Sequence, residues 1–447
     1  MNYGESLKYL FSLGRELAAP TQAAAAKFDL ENISTLAEAL GHPERKYRSV
    51  HIAGTNGKGS TAAFTEAILR TAGIKTGLYT SPHLEKINER ISVNGEEISD
   101  EAFAESFSRI QGLIEELLAH GKLRAHPTFF EVVTALAFEH FAKARVEVAV
   151  FEVGLGGRLD ATNIVVPEVS VITRVDFDHE NFLGHSLEEI AGEKAGIIKS
   201  GVPLVLAEQR PEAREVILKR AAEVGVPVYE IEKEFRSEKS GMEEGCVRAA
   251  VMEIESGERF QVAPKLRGKF QLGNALNSIG VARILKERGA SISKETIERG
   301  IANAVWPGRI EKLQSSPDVY LDGAHNPSAA RELAAFLKEN FPSRKVTMLF
   351  AAMRDKAVDE IAGTLFPYAS EVIFTQPRIA RALSAAQLAE MAGEYAPQFR
   401  VIPNAEAALE EALASAGLND AVFVTGSLYL VGELRHYWKT RSQVATR

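Results

Sequence analysis

Apolar runs of strand length alternate with longer amphipathic stretches along most of this chain of 447 residues. The strand candidates are residues 49–52, 147–153, 169–173, 203–207, 346–350, 372–375 and 421–425. The helical patterns between them include residues 60–72, 129–143, 327–339 and 405–414. Alternation of this kind predicts an α/β fold in which helices cover both faces of a mostly parallel sheet.

The alternation falls into two series that meet near residue 308. Trp306, Pro307 and Gly308 interrupt it there, because proline and glycine break regular elements. We therefore predict an N-terminal domain over residues 1–308 and a smaller C-terminal Rossmann-like α/β domain over residues 309–447. The charged stretch at about residues 230–262 is predicted to be a β-rich excursion from the first domain.

A glycine-rich loop follows the first strand candidate and opens a helix; it reads Gly54, Thr55, Asn56, Gly57, Lys58, Gly59, Ser60, Thr61. The glycines let backbone N–H groups approach phosphate oxygens, and the helix N-terminus adds its dipole. Lys58 is placed to neutralise the β- and γ-phosphates, and the hydroxyl of Ser60 or Thr61 can reach Mg²⁺ or phosphate. Although Gly59 departs from the strict Walker spacing, this order predicts a P-loop-type domain that binds ATP.

Polar residues also stand near the ends of further strand candidates, where open α/β sheets place their ligands. Ser81, Glu152 and His179 each fit an ordinary structural role when taken alone. Beside a phosphate loop, they suggest oxygen and imidazole ligands for Mg²⁺ held against ATP. Lys194 lies among small residues, which permit close packing, but the residues alone favour a solvated helix lysine.

Composition excludes several classes of protein. The net charge of −8 argues against bulk nucleic-acid binding. Residues 1–13 lack the pattern of a signal peptide, and no apolar run approaches the length of a membrane helix. The single cysteine, Cys246, cannot form an internal disulfide, which favours a reducing, cytoplasmic setting.

Nine segments, in order along nearly the whole chain, resemble the bacterial folylpolyglutamate synthases, which often double as dihydrofolate synthases, within the Mur ligase superfamily. They are GTNGKGS from Gly54, TSPHL from Thr80, FEVGLGGRLDATN from Phe151, DHENFLG from Asp178, GEKAGIIK from Gly192, QLGNALNS from Gln271, PGR from Pro307, DGAHNP from Asp322 and TGSLYLVGE from Thr425. The resemblance implies an ATP-dependent ligase that adds L-glutamate to folate, and also to dihydropteroate, through an acyl-phosphate.

The resemblance also implies roles for single positions. The nucleotide is expected to contact the loop from Gly54 to Thr61 together with Asn274, Arg309 and Asp322. The expected Mg²⁺ ligands are Ser60, Ser81, Glu152, His179 and Lys194. Lys194 is similar to a family lysine that carries a carbamate formed with CO₂, which requires the neutral amine that burial favours. A monovalent cation is a further candidate cofactor.

The resemblance places the substrates as well. Arg90, His325 and Ser427 are expected near the incoming glutamate, and the pterin-side contacts are expected at Thr128, Phe129, Phe130, Glu131, Leu159, Asp160 and Ala161. The residues expected to act in catalysis are Lys58, Lys194, Asp322 and His325. The expected partners are ATP, L-glutamate and a folate or dihydropteroate, with no nucleic acid and no membrane, and the fold class favours a monomer.

Two other classes of function stay open on the sequence alone. One is a Mur-type ligase that acts on another carboxylate, such as a peptidoglycan precursor, and the TSPHL and DGAHNP segments fit the folate branch better. The other is a P-loop NTPase that ligates nothing, against which the polar residues at several strand ends argue. The sequence also leaves open which carboxylate is activated, that of dihydropteroate, that of a folate tail, or both.

Overall fold

The computed structural model describes residues 1–13 and 29–445, with side chains up to residue 441. Its strands are β1 (Arg48–Ala53), β2 (Thr76–Tyr79), β3 (Ile91–Val93), β4 (Glu96–Glu97), β5 (Val148–Glu152), β6 (Val169–Ile172), β7 (Leu204–Leu206), β8 (Val228–Glu230), β9 (Phe235–Glu243), β10 (Cys246–Glu253), β11 (Arg259–Val262), β12 (Glu311–Gln314), β13 (Asp318–Leu321), β14 (Val346–Phe350), β15 (Glu371–Gln376), β16 (Phe399–Asn404) and β17 (Ala421–Thr425).

The α-helices of the same residues are α1 (Tyr3–Ser12), α2 (Glu31–Ala39), α3 (Lys58–Thr71), α4 (Asp100–Ala119), α5 (Phe129–Ala144), α6 (Glu180–Leu183), α7 (Leu187–Ala195), α8 (Pro211–Val224), α9 (Ile231–Glu234), α10 (Gln271–Glu287), α11 (Lys294–Asn303), α12 (Pro327–Asn340), α13 (Val358–Leu365), α14 (Ala385–Ala392), α15 (Ala405–Ser415) and α16 (Leu428–Ala445). None of these helices is both long and apolar enough to cross a membrane.

The first sheet has eight strands in the order β4-β3-β2-β5-β1-β6-β7-β8. The six strands β2, β5, β1, β6, β7 and β8 run parallel to one another. At one edge, β3 pairs antiparallel with β2, and β4 pairs antiparallel with β3. Helices cover both faces because the strands are apolar on both. In β5, Val148 and Val150 pack towards α3 and α10, whereas Ala149 and Phe151 pack towards α4 and α5. The predicted parallel sheet with two covered faces is confirmed.

The charged stretch after β8 forms a separate antiparallel sheet in the order β11-β10-β9. Its inner face, with Val251, Phe260 and Val262, joins the core formed by α10 and α11. The small sheet therefore packs on one side of the large sheet and adds no separate core.

The last third of the chain builds a six-stranded sheet in the order β12-β13-β17-β14-β15-β16. All pairs are parallel except β12 with β13. Alternate residues of its strands again face two layers of helices, with Met348 and Phe350 on one side and Leu349 on the other. The second, smaller α/β unit that the sequence predicts is confirmed.

Candidate active site

The glycine-rich loop joins the carboxyl end of β1 to the first turn of α3. Gly57 precedes the helix with a φ of +89°, in the region that favours glycine. A Cβ at Gly57 would lie 2.3 Å from Oδ1 of Asn274, and one at Gly59 would lie 2.8 Å from the indole ring of Trp306. Glycine is therefore required at both positions, and the close-packed loop presents the N-terminus of α3, where an anion binds favourably.

Two lysine ammonium groups share one backbone acceptor in this loop. Lys58 Nζ donates to the carbonyl oxygens of Gly54 (3.0 Å) and Thr55 (3.1 Å), and Lys194 Nζ donates to that of Gly54 (3.0 Å). Burial, with the positive charge of Lys58 as a second cause, lowers the pKa of Lys194 to about 7. Lys194 is only 4% exposed, so the solvated position that its sequence surroundings favour is wrong. Lys194 is buried because its Nζ reaches the carbonyl oxygen of Gly54, 140 residues earlier in the chain, a contact that its local sequence does not show.

Ser81 and Glu152 follow or end the neighbouring strands β2 and β5. The Ser81 N–H donates to Oε2 of Glu152 at 3.1 Å, and the buried Ser81 Oγ has no hydrogen-bond partner. Burial raises the pKa of Glu152, and the charge of Lys58 opposes this effect. A buried hydroxyl without a partner beside a buried carboxylate is costly by itself, and both groups are ligands that suit Mg²⁺. The residues present therefore fit a magnesium ion.

His179 begins the short helix α6 with a φ of +52°. Burial lowers the pKa of its imidazole to about 4, so the ring is neutral at physiological pH, which is the form that can bind a metal. Within residues 1–13 and 29–445, no three His, Cys, Asp or Glu side chains converge as a ready metal site. A magnesium site here would therefore need ligands of other types beside Glu152 and His179, such as the hydroxyls of Ser60 and Ser81.

The predicted nucleotide residues Asn274 and Arg309 lie at two sides of the phosphate loop. Asn274 packs against Gly57, and its Nδ2 donates to Oε1 of Gln271 at 3.0 Å. Arg309 Nη1 donates to the carbonyl oxygen of Gly308 at 3.1 Å. Arg309 lies close enough for its positive charge to lower the pKa of both Lys58 and Glu152.

Asp322 has a structural task in addition to its predicted one. Its carboxylate accepts the backbone N–H groups of Ile310 and Ala324, each at 2.9 Å, and it is buried. Burial raises its pKa, and the charge of Arg309 opposes this. Asp322 thus joins the end of β13 to the segment that carries Arg309, and its contact with the nucleotide stays a prediction.

His325 and Ser427 lie on loops at the carboxyl ends of the neighbouring strands β13 and β17. His325 Nδ1 lies 2.7 Å from the carbonyl oxygen of Gly323, so this nitrogen carries the proton, and Nε2 lies 3.6 Å from Oδ2 of Asp178. Ser427 Oγ accepts the N–H of Tyr429 at 3.2 Å. His325 thus belongs to the smaller sheet but faces a carboxylate of the larger one.

Arg90 lies in a cleft of about 380 Å³ between the two sheets. Its Nε donates to Nδ1 of His83 at 2.9 Å, and its guanidinium stacks over the ring of Phe129 at 5.4 Å. Tyr429 and Glu433, from the first turns of α16, line the opposite side. Arg90 and Phe129 are therefore brought together, with aromatic and charged groups around one opening.

Thr128 and Glu131 form a capping box at the start of α5. The Glu131 carboxylate accepts the Thr128 N–H at 2.7 Å, and the Thr128 hydroxyl accepts the Glu131 N–H at 3.3 Å. Burial raises the pKa of Glu131. Phe130, which lies between these two residues in the sequence, packs on the ring of Tyr79. It also packs against Gly154, at which an added Cβ would lie 2.6 Å from the Phe130 ring. The polar atoms of this segment hold the helix, and Phe130 reaches the loop after β5.

Asp160 organises that loop. Its carboxylate accepts the N–H groups of residues 154, 155 and 162 and the hydroxyl of Thr162, whose oxygen also lies 2.8 Å from Nε2 of His51. Leu159 is half-buried and Ala161 is buried beside it. Both oxygens of Asp160 thus hold the shape of the loop, and its contact with the substrate stays a prediction.

Three residues outside the predicted set tie the two sheets together at the site. Asn326 exchanges two side-chain amide hydrogen bonds with Asn56, and it donates a third to Asp178 (3.1 Å). Lys356 Nζ donates to the other oxygen of Asp178 at 2.6 Å. Asn326 lies in the segment DGAHNP, and Asp178 begins the segment DHENFLG. Lys356 belongs to a charged run soon after β14, and its place near a strand end is the signal that could have found it.

Helix α16 closes against the segment after Ser81. A Cβ at Gly432 would lie 1.9 Å from the carbonyl oxygen of Leu84, and Glu85 accepts hydrogen bonds from Arg435 and Lys439. The last helix therefore covers the end of β2 from the opposite side of the cleft.

Comparisons with known proteins agree along the whole chain. The Mur ligase middle domain matches residues 52–282, and the Mur ligase glutamate ligase domain matches residues 308–428. The dihydrofolate synthase/folylpolyglutamate synthase of Bacillus subtilis (strain 168) is 39% identical over 91% of this chain and 94% of that protein. The chain belongs to the folylpolyglutamate synthase/dihydrofolate synthase family of Mur ligases.

Solved structures of this synthase family superpose closely on the chain. Folylpolyglutamate synthase of Mycobacterium tuberculosis, complexed with ADP and AMPPCP, gives a TM-score of 0.85 at 34% identity over 92% of this chain and 95% of that one. E. coli FolC in complex with DHPP and ADP gives 0.85 at 30% identity over 99% of both chains. In this synthase-family chain, the phosphate loop falls in the middle-domain match, and His325 and Ser427 fall in the glutamate-ligase match.

Proposed function

We propose that the chain is an ATP-dependent ligase that joins L-glutamate to the carboxylate of a folate, and of dihydropteroate, through an acyl-phosphate. The observation that carries the proposal is the phosphate loop, where Lys58 and Lys194 meet at one carbonyl oxygen and Asn56 reaches the smaller sheet. Relatives named for both activities, at identities up to 39%, support the choice of substrates.

In the first step, an oxygen of the substrate carboxylate attacks the γ-phosphorus of ATP, and the bond from that phosphorus to the bridging oxygen of ADP breaks. Lys58 and the N-terminus of α3 stabilise the charge that develops on the phosphoryl oxygens. When bound, Mg²⁺ supplies further positive charge at the β- and γ-phosphates. The side chains that would hold it are Ser60, Ser81, Glu152, His179 and a carbamylated Lys194.

In the second step, the α-amine of glutamate attacks the acyl carbon, and the bond from that carbon to the phosphate oxygen breaks. His325 and Ser427 line the glutamate side, with Arg90 placed to pair with a carboxylate. The Nδ1–H of His325 donates a hydrogen bond to the carbonyl oxygen of Gly323. Its Nε2 is therefore the ring atom that accepts the proton that the amine loses. Exclusion of water from the cleft protects the acyl-phosphate until the amine arrives.

We also propose where the nucleotide and the pterin bind. Asn274, Arg309 and Asp322 hold the nucleotide between a domain of residues 1–308 and one of residues 309–447. The pterin side lies along residues 128–131 and 159–161. The protein acts as a monomer in the cytoplasm.

The test supplies ATP, Mg²⁺ and L-glutamate with either dihydropteroate or a reduced folate, and it measures ADP and the amide product together. We expect ADP and amide in equal amounts with both acceptors. Turnover of ATP that needs neither acceptor would instead indicate a non-ligating NTPase, and product formation only with a UDP-linked acceptor would indicate another Mur ligase.

A further inference from the structure

Asn326 connects the smaller sheet to the phosphate loop. Its Nδ2 donates to Oδ1 of Asn56 at 3.1 Å, and its Oδ1 accepts from Nδ2 of Asn56 at 3.3 Å. The two residues are 270 positions apart in the chain. A reciprocal amide pair has one favourable alignment, so it fixes both the distance and the orientation of the two loops.

The same amide has two further partners. Its oxygen accepts the N–H of Ala329, as the N-cap of α12, and its nitrogen donates to Oδ2 of Asp178 at 3.1 Å. Asn326 is 1% exposed. Both polar atoms of its side chain, Oδ1 and Nδ2, have hydrogen-bond partners within the protein. A fully bonded, buried amide of this kind is held rigidly and costs little to keep in place.

Asp178 carries the connection further into the site. Besides the hydrogen bond from Asn326, its carboxylate accepts one from Lys356 Nζ at 2.6 Å. The Nε2 atoms of His325 and His179 lie 3.6 Å and 3.8 Å from its oxygens. Lys356 and His325 come from the smaller sheet, whereas Asp178 and His179 come from the larger one. The phosphate loop, the predicted metal histidine and the glutamate-side histidine thus depend on one buried junction.

We propose that Asn326 is a positioning residue that keeps the glutamate side of the site in register with the phosphate loop. The inference rests on the proposed ligase function. The acyl-phosphate forms beside Lys58, and the amine arrives from the side of His325. Asn326 is covalently next to His325 and hydrogen-bonded to the loop, so it sets the separation of these two partners.

The register decides the fate of the acyl-phosphate. With the amine in line, nitrogen attacks the acyl carbon, phosphate leaves and an amide forms. With the amine displaced, the oxygen of a water molecule attacks the same carbon, phosphate leaves, and the original carboxylate is regenerated. The second route consumes ATP and yields ADP and phosphate without amide, so loss of register raises the ratio of ADP to amide.

The decisive variant is Asn326→Ser. Serine is as good an N-cap as asparagine, so α12 keeps its start, but the amide pair with Asn56 and the bond to Asp178 are lost. Asn56→Ser removes the same pair from the other side, which guards against a folding defect in the first variant. The matched control is Asn404→Ser, because Asn404 caps α15 through the N–H of Ala407 at 2.8 Å and lies on an exposed edge of the smaller sheet.

The measurement is the ratio of ADP to amide, with KM values for ATP and for glutamate, in the full-length protein with ATP, Mg²⁺, glutamate and a reduced folate. We expect a ratio of one for the parent protein and for Asn404→Ser, and a severalfold higher ratio with a raised KM for glutamate in Asn326→Ser and Asn56→Ser. A ratio that stays at one in both site variants, whether or not their rates fall, overturns the inference. An absence of amide from the parent protein would instead overturn the ligase function itself.

Discussion

The ammonium groups of Lys58 and Lys194 both donate to the carbonyl oxygen of Gly54, each at 3.0 Å. Two cations at one acceptor repel each other, and both are withdrawn from water. The neutral form of one of them is therefore favoured, and Lys194 has its pKa lowered to about 7. A neutral amine beside the phosphate loop is the reactant that carbamate formation needs.

The activity should depend jointly on pH and on CO₂. The neutral fraction of Lys194 is expected to rise about tenfold between pH 6 and pH 8, because its pKa lies near 7. If the carbamate is required, the rate in CO₂-depleted buffer should be low at both pH values, and bicarbonate should restore it more fully at pH 8. The rate of Lys194→Arg, whose side chain stays charged, should change neither with bicarbonate nor with the titration of this residue between pH 6 and pH 8. Equal rates with and without bicarbonate at pH 8 would count against the carbamate.

The same group affects stability. In the unmodified folded protein Lys194 loses its proton near pH 7, whereas in the unfolded chain it keeps the proton to about pH 10.5. The unfolded state therefore binds more protons between these values, and the free energy of unfolding rises with pH over that window. Lys194→Met should flatten this rise, measured by urea unfolding at pH 7 and pH 9 in CO₂-depleted buffer. An unchanged slope would mean that Lys194 titrates as an ordinary lysine.

Loss of the Lys58 charge should impair the chemical step. Lys58→Ala removes the ammonium group that the phosphate loop itself carries, and we expect kcat to fall by roughly 10²- to 10³-fold, as when a charge-stabilising group is lost. The control is Lys233→Ala, which removes an exposed lysine paired with Glu230. Full ATP- and glutamate-dependent ligation by the Lys58 variant would exclude the proposed role of this residue.

Asp322 should matter for stability before it matters for nucleotide binding. Asp322→Ala leaves two buried N–H groups, those of Ile310 and Ala324, without acceptors, at a cost of about 1–3 kcal/mol each. The comparison is Asp420→Ala, a half-buried carboxylate that accepts one N–H group from Gly417, for which we expect about 1 kcal/mol or less. Chemical denaturation measures the free energy of unfolding of both variants. Equal decreases in the two would show that Asp322 has no special role in stability.

The close approach at Gly432 should not tolerate a side chain. In Gly432→Ala the new Cβ would lie 1.9 Å from the Leu84 carbonyl oxygen, so α16 must move away from the segment after Ser81. We expect lower activity and a larger radius of gyration in X-ray scattering. Gly112→Ala, in α4 with open space around it, should be neutral or slightly stabilising. Normal activity and size in the Gly432 variant would show that the two surfaces can separate without effect.

Local pattern predicts much of the fold. The bounds of β14 and β17 follow residue for residue from apolar runs that are buried on both faces. The segment from Thr128 to Glu131 has a local role that its own sequence indicates. Thr128 followed three residues later by Glu131 is the pattern of a capping box, and the structure uses the pair in that way. Its predicted substrate contact rests on the family resemblance alone.

Long-range contacts set the limits of prediction. The burial of Lys194 depends on how α7 meets a loop 140 residues earlier, and no local pattern reveals it. The pairing of Asn56 with Asn326 is likewise set by the docking of two sheets. The residues that sequence motifs found are those at strand ends, where topology alone brings ligands together. Asp178 lies in a motif and Lys356 in a charged run, but the contact between them is set by the docking of the two sheets.

The contacts across the cleft have a consequence for recombination between relatives. A chimaera joined at residue 308 would take Glu85 from one parent and Arg435 from the other, and would divide Asn56 from Asn326 in the same way. Exchange of the last third of the chain should therefore succeed only between parents that share both pairs. Parents that differ at either position would need the matching partner transferred with the graft.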